Sequence, residues 1–267
     1  MQARVRALAA IVAIAGASFS GRVHAAPGDI TLLGQLLPAG AVNICDLWGY
    51  VDPNGIDYAI IGSWTAGFYI INVEDPANPV LTTSMIGNGH NGFDIKVWNH
   101  YVYTCNGGGS PTTSRVYDIS NILSPVPGTG YQGHHTYHIH PDGFLFGAYP
   151  ALNAYDIRTT PMAPAPMWNK APFADGHDTL PVGNRLYDFH GYSDTYIYDI
   201  TNRFSPVLIG TISDPNIAYN HFGAVSADNN YLYICDELAL TPRADLTVWD
   251  ISNPALPFKV GGINVVL

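Results

Sequence analysis

Charge is scarce in this chain. Only 12% of its 267 residues are Asp, Glu, Lys or Arg, about half of the roughly 25% usual for soluble proteins. Lysine is reduced to Lys96, Lys170 and Lys259. Heptads of Ala, Glu, Lys, Arg and Leu are absent, which excludes a coiled coil or other long-helix protein. The charge that exists is unbalanced, with 11 basic against 21 acidic residues and a net −10. That balance opposes nucleic acid or an anionic membrane surface as partner. No apolar run beyond the N-terminal region approaches the ~20 residues of a bilayer span, so the mature chain is expected to have no membrane span. Cysteine is limited to Cys45, Cys105 and Cys235. The odd count leaves at least one thiol unpaired within the chain, and the lack of a CxxC pair argues against a cysteine zinc site.

What is present is apolar and turn-rich: 47% hydrophobic residues, 27 Gly, 20 Pro and 17 Tyr. Such a composition excludes disorder, because disordered chains are poor in apolar residues, and the length suffices for a full core. The first residues read as a secretory signal. Arg4 and Arg6 precede the apolar stretch Leu8 to Ala17, and Val23-His24-Ala25 places small residues where signal peptidase reads them. Cleavage is predicted after Ala25, leaving one domain over residues 26–267 in a secreted, periplasmic or cell-surface location. Removal of three arginines leaves eight basic against 21 acidic residues, a balance of −13.

Self-similarity is the dominant pattern. INVEDPANPV from Ile71, YDISNILSPV from Tyr117, YDIRTTPMAP from Tyr155, YDITNRFSPV from Tyr198 and WDISNPALPF from Trp249 share a strand, an Asp-Ile-Ser/Thr type step and a following Pro. Asn72, Asp118, Asp156, Asp199 and Asp250 align at separations of 46, 38, 43 and 51 residues, near the ~40–50 of one four-stranded propeller blade. The aligned acids are expected to cap the turn after the third strand through their side chains. In the last unit the strands are placed at His221–Ser226, Tyr231–Cys235, Leu246–Asp250 and Phe258–Gly261. Second strands such as YVYTC and YLYIC are apolar on both faces, as expected of blades sandwiched between neighbours. The predicted fold class is thus all-β, a propeller of four-stranded antiparallel blades. Five repeats are visible, and Ile30–Leu36 reads as a stray fourth strand. The ring either has five blades and an extra strand, or six with the last one incomplete. The second alternative is favoured because the stray strand has no C-terminal partners.

These repeats, with DLWGYVDPNGIDYAIIG from Asp46 and YNHFGAVSADNNYLYICDEL from Tyr219, resemble the LVIVD-repeat propellers and, more closely, the exported bacterial choice-of-anchor B proteins. The resemblance implies a secreted or surface propeller and no established catalytic activity. A WD-repeat assignment is rejected, since Trp249-Asp250 is the one WD dipeptide and the Gly-His pairs fall at different registers.

Aligned first strands place Asp46, Asp94, His135, His177 and His221 at equivalent positions, where a propeller lines its channel. Imidazoles with carboxylates suit a divalent cation such as zinc, manganese or iron, and an open position on it would activate water. The ends of the second strands add Ser63, Asn106, Tyr149, His190 and Asp236. Asp236 and Glu237 are the best acids to orient a ring imidazole from outside, with His190 a weaker candidate. The alternative is that these polar groups only satisfy each other, backbone and water. His90, His100, His134, His138 and His140 fall outside the register and are expected at surfaces or strand edges. All three cysteines are expected to be buried free thiols. Trp48, Trp64 and Trp168 are expected at blade interfaces rather than as sugar platforms. No nucleophile elbow, phosphate loop or H-E-x-x-H motif occurs. Two functions follow. The first is a binding or interaction module for an extracellular protein, glycan or small ligand, with a divalent metal as its possible cofactor. The alternative is a metal-dependent hydrolase or lyase using the same ring.

Overall fold

A computed structural model describes residues 31–41, 43–64, 67–87, 92–107, 114–149, 151–170, 176–240 and 244–264. The signal segment, its cleavage point and His90 lie outside these residues. The described residues form five four-stranded antiparallel sheets, each built from consecutive strands, and contain no helix. Sheet one holds β1 (Ile44–Val51), β2 (Asp57–Ser63), β3 (Gly67–Asn72) and β4 (Val80–Ile86). Sheet two holds β5 (Ile95–Trp98), β6 (Tyr101–Thr104), β7 (Arg115–Asp118) and β8 (Val126–Pro127). Sheet three holds β9 (Thr136–His140), β10 (Phe144–Ala148), β11 (Leu152–Asp156) and β12 (Pro166–Lys170). Sheet four holds β13 (Asp178–Val182), β14 (Arg185–Phe189), β15 (Thr195–Asp199) and β16 (Val207–Ile212). Sheet five holds β17 (Asn220–Val225), β18 (Tyr231–Asp236), β19 (Leu246–Asp250) and β20 (Phe258–Ile263). This is the blade architecture of a β-propeller. No helix among the described residues is long and apolar enough to cross a membrane.

The repeat has a physical explanation in its turns. Every third strand ends on the aligned Asn or Asp, whose Oδ1 accepts the backbone N–H two residues on: Glu74, Ser120, Arg158, Thr201 and Ser252. In four of the sheets a second Asx turn follows three residues later, from Asp75, Asn121, Asn202 and Asn253. The apolar residue after the aligned acid donates its N–H to the hairpin between the first two strands, as Ile119 does to His100 O and Ile251 to Asn230 O. Ile119, Ile157, Ile200 and Ile251 are buried. One short motif therefore ends a strand, starts the next turn and pins the opposite hairpin. The residues that begin those hairpins also behave as expected, with Gly143 and Gly183 at φ 86° and 56°, a region open to glycine at no steric cost.

The chain divides into two compact units. The first comprises residues up to Thr104 together with Tyr117–Val126, and the second comprises Cys105–Val116 and everything from Pro127. In the first, Tyr50, Ile60, Phe68, Ile70, Ile95, Val102 and Tyr117 form one core cluster. Tyr69 and Ile71 face the other way, against Leu36 and Ala41 of the N-terminal segment. That segment forms no strand over residues 31–36, contrary to the reading of a fourth strand, because among the described residues no strand pairs with it in a hydrogen-bonded ladder. In the second unit β14 shows how a blade is packed on both faces. Leu186 joins Phe144, Phe146 and Leu152, whereas Tyr187 and Phe189 join Leu232, Ile234 and Trp249.

The three cysteines are free. Cys105 is buried as expected, but Cys45 is exposed and Cys235 half-buried. Cys45 sits near the start of β1, beyond the part of that strand paired in regular register with β2.

Candidate functional site

The second unit gathers three imidazoles at the starts of consecutive first strands. His177 lies between His135 and His221, with ring centroids 4.5 and 4.3 Å away. Each is tethered through the backbone or one ring nitrogen. His135 takes a backbone bond to Ala148 O, and His177 one to Phe189 O. Thr136 Oγ1 donates to both His177 O and the Asp178 carboxylate, at 3.0 and 2.9 Å. His177 Nδ1 lies 3.0 Å from His221 O, and His135 Nδ1 is hydrogen bonded to Gly107 O. A carbonyl only accepts, so both Nδ1 atoms carry a proton, and a neutral His177 presents its lone pair at Nε2. Burial, reinforced by the neighbouring His135 and His221, pushes His177 down to about 4. It is therefore neutral at physiological pH, as a ligand imidazole must be.

Glu237 completes the group. Its Oε2 is 3.7 Å from His221 Nε2, and both side chains are open to solvent. His177, His221 and Glu237 each offer one ligand atom, and the three atoms lie within 4.8 Å of one another. Two imidazoles and one carboxylate form a donor set used for zinc and for iron(II). The sequence reading placed Glu237 one step further out. Its position is set by the end of β18, where adjacent Asp236 turns the opposite way. The Asp236 carboxylate accepts the N–H groups of Ala218, Tyr219 and Leu238 at 2.6, 2.9 and 3.1 Å. Asp236 therefore fixes the loop leading to His221 through backbone N–H groups. His190 is buried, 4.0 Å from the Asp188 carboxylate and edge-on to Tyr196. Burial, then the charge of Asp178, raises Asp188 to about 7.

An aromatic rim surrounds the imidazoles. Tyr219 meets His177 edge-on at 5.3 Å, and the exposed Tyr192 meets Tyr219 at 4.7 Å. Tyr149, edge-on to His135, has φ 48°, a costly backbone conformation for a bulky residue. His134 lies beneath it, with Nδ1 bonded to Tyr149 O and Nε2 to Tyr155 Oη at 2.7 Å. Burial lowers His134 to about 4. The expectation of a surface or edge position for His134 is thus overturned: it is fully buried, a consequence of the hydroxyl that β11 supplies from 21 residues away.

The first unit holds Asp46 and Asp94. Both carboxylates engage the ammonium of Lys96, at 2.8 Å for Asp46, and Asp46 also accepts the Ile95 N–H at 2.9 Å. Burial works to raise the Asp46 carboxyl. The hydrogen bond with Asp94, the Lys96 charge and the Ile95 N–H outweigh it and hold the group at about 2. Lys96 also lies 5.2 Å over the Trp48 ring. The residue missed by the sequence reading here is Lys96, two positions after Asp94. Trp48 and Trp168 pack against core clusters as expected. Trp64 does not: it is exposed, edge-on to Phe93 at 5.1 Å.

The LVIVD repeat profile matches residues 56–86 and 223–265, covering most of β2 to β4 and of sheet five. No curated protein sequence matches the chain significantly. Among solved structures, a Desulfotomaculum acetoxidans protein of unknown function is similar at TM-score 0.67 and 13% identity, over 89% of this chain and 76% of that one. A Lactobacillus plantarum protein is similar at TM-score 0.65 and 14% identity, over 85% and 73%. The periplasmic gluconolactonase of Pseudomonas aeruginosa is similar at TM-score 0.61 and 12% identity, over 83% and 72%. At these identities the likeness is one of fold.

Proposed function

We propose that the chain is an exported propeller of the choice-of-anchor B type that binds a divalent metal ion through His177, His221 and Glu237 and presents it to a small ligand or glycan. The observation that carries this reading is the convergence of three ligand atoms within 4.8 Å, with the His177 Nδ1 proton committed to His221 O. His135 stands beside His177 as a fourth donor or as a hydrogen-bond donor to the bound molecule. Solvent access at His221 and Glu237 leaves room for an exogenous oxygen ligand. The tyrosine edges of Tyr149, Tyr192 and Tyr219 offer the apolar contact by which a ring-shaped ligand is oriented. Export is supported by the N-terminal signal pattern.

A hydrolase is the second reading. It is favoured by the same open position, where a metal-bound water would be activated beside Glu237 as base, and by the gluconolactonase among the similar folds. Elemental analysis and calorimetric titration of the mature protein with zinc, manganese and iron(II) test the shared step. Stoichiometric binding that is lost in His177→Ala and Glu237→Gln supports both readings. Absence of binding, or binding indifferent to both substitutions, removes them. Turnover of lactones, esters or phosphates by the metal-loaded protein then selects the hydrolase.

A further inference from the structure

The same pentapeptide pattern occupies two environments. In YVYTC of sheet two, Tyr103 and Cys105 are fully buried. In YLYIC of sheet five, the equivalent Tyr233 and Cys235 are half-buried, and burial along β18 alternates residue by residue. By contrast β10 is buried at every position. Register pairs Tyr233 with Val248 and Val248 with Gly261, and likewise Cys235 with Leu246 and Leu246 with Ile263. These rows place one continuous apolar face of sheet five toward solvent, while Leu232, Ile234 and Trp249 fill the core on the other. A strand half-exposed on one side normally alternates apolar with polar residues. This one is apolar on both.

A second, independent series concerns the fourth residue after each turn proline. In the first four sheets it meets a turn carbonyl of the sheet that follows. Thr83 Oγ1 donates to Ile122 O at 2.7 Å. Thr129 donates through N and Oγ1 to Met162 O at 2.9 and 3.0 Å, in a turn lengthened by one residue. Trp168 Nε1 donates to Arg203 O at 2.7 Å. At Gly210 the Pro254 carbonyl sits where a Cβ would be. The fifth member is Gly261, and among the described residues nothing lies within 4 Å of the position its Cβ would take.

We propose that this face of sheet five is the docking surface for a further four-stranded sheet of the same repeat type, whose turn carbonyl seats on Gly261 and whose apolar face covers Tyr233, Cys235 and Val248. A second copy of the chain cannot offer that turn. Ile122, Met162, Arg203 and Pro254 are engaged as above, and the turn of sheet one has its Pro76 carbonyl against Gly34. The occupant is therefore a blade from outside the described residues, recognised by shape, by its bare carbonyl and by apolar area.

The test uses the full mature chain carrying Cys45→Ser, so that Cys235 is its accessible thiol, and a tandem version in which residues 213–264 are repeated after the first copy with the second cysteine replaced by Ser. Maleimide labelling of Cys235 is expected to slow by about tenfold or more in the tandem chain, as its face becomes protected, and the melting temperature to rise. Gly261→Val is expected to abolish both changes in the tandem chain while leaving the single chain's melting temperature unaltered. Gly210→Val, by contrast, lowers it in both. The proposal is overturned by unprotected Cys235 in the tandem chain. It is equally overturned if Gly261→Val destabilises the single chain as Gly210→Val does, because the socket is then already filled. Should the tandem chain not fold, that glycine pair still decides. Sedimentation of the single chain as a dimer with Cys235 protected assigns the face to a second copy and also overturns it.

Discussion

Two polar centres occupy equivalent register positions in the two units and reach opposite solutions. In the first, Asp46 and Asp94 share the single ammonium of buried Lys96, so the carboxylates are engaged by a cation the chain itself supplies. In the second, His135 and His177 spend Nδ1 on backbone carbonyls, and neutral His177 keeps a lone pair at Nε2, with Glu237 at the solvent side. Repeat register decides where a side chain stands. Lys96, two positions after Asp94, satisfies both carboxylates, whereas Tyr137, Thr179 and Gly223 stand two positions after His135, His177 and His221.

The largest effect that would break this contrast is expected from Lys96→Met. It leaves two carboxylates in a largely buried site without their cation, at a cost of about 3–5 kcal/mol, measured by urea unfolding. A smaller loss would mean that water already solvates the pair. Next comes His177→Ala, which removes a ligand and should weaken zinc or manganese binding by about a hundredfold or more, with little change in the urea midpoint. Unchanged calorimetric affinity would count against the metal reading.

The two centres should also separate by pH. His177 and His134 sit at about 4 when folded against about 6.5 unfolded. The unfolded chain therefore binds more protons between those values, and their contribution to stability is lost as pH falls from about 6.5 to 4. Asp46 is held at about 2, so its contribution persists until pH drops below the unfolded value of about 3.9. Asp188, raised to about 7, works in the other direction and costs stability as pH rises from about 4 to 7. Thermal melts of His134→Gln and His177→Gln variants should flatten the acid slope, while Asp188→Asn should flatten the opposing one. The smallest expected effect is that of Asp236→Asn. It weakens the clamp on Ala218 and Tyr219 and should lower metal affinity by about tenfold without abolishing it. A complete loss would promote Asp236 from positioning group to ligand.

Much of the fold was legible because its determinants are local. The aligned Asn72, Asp118, Asp156, Asp199 and Asp250 do end the third strands, since an Asx turn is completed within two residues of the acid. The predicted strands of the last unit agree with β17 to β20 to within a residue or two. The site was legible only in part. His135, His177 and His221 stand in ring contact from consecutive sheets, but the different surroundings of Asp236 and Glu237, named together as helper acids, were not legible because neighbouring side chains leave a strand end in opposite directions. His134 was misplaced because its burial depends on Tyr155 from another strand. Lys96 was passed over because an isolated lysine carries no motif. The openness of YLYIC was invisible, since the pentapeptide looks the same whether or not a neighbour covers it.

The order of strands within each sheet bears on how the protein is made. Every sheet is finished before the next begins, so local pairing can proceed while the chain emerges from the ribosome, one sheet roughly every 2–10 s at usual synthesis rates. The imidazole cluster breaks this rule. His135, His177, His221 and Glu237 come from three successive sheets, and the group is not assembled until residue 237 has left the exit tunnel. A nascent chain should therefore acquire its hairpins early, and the donor group of the proposed metal site late, as a single step near the end of synthesis.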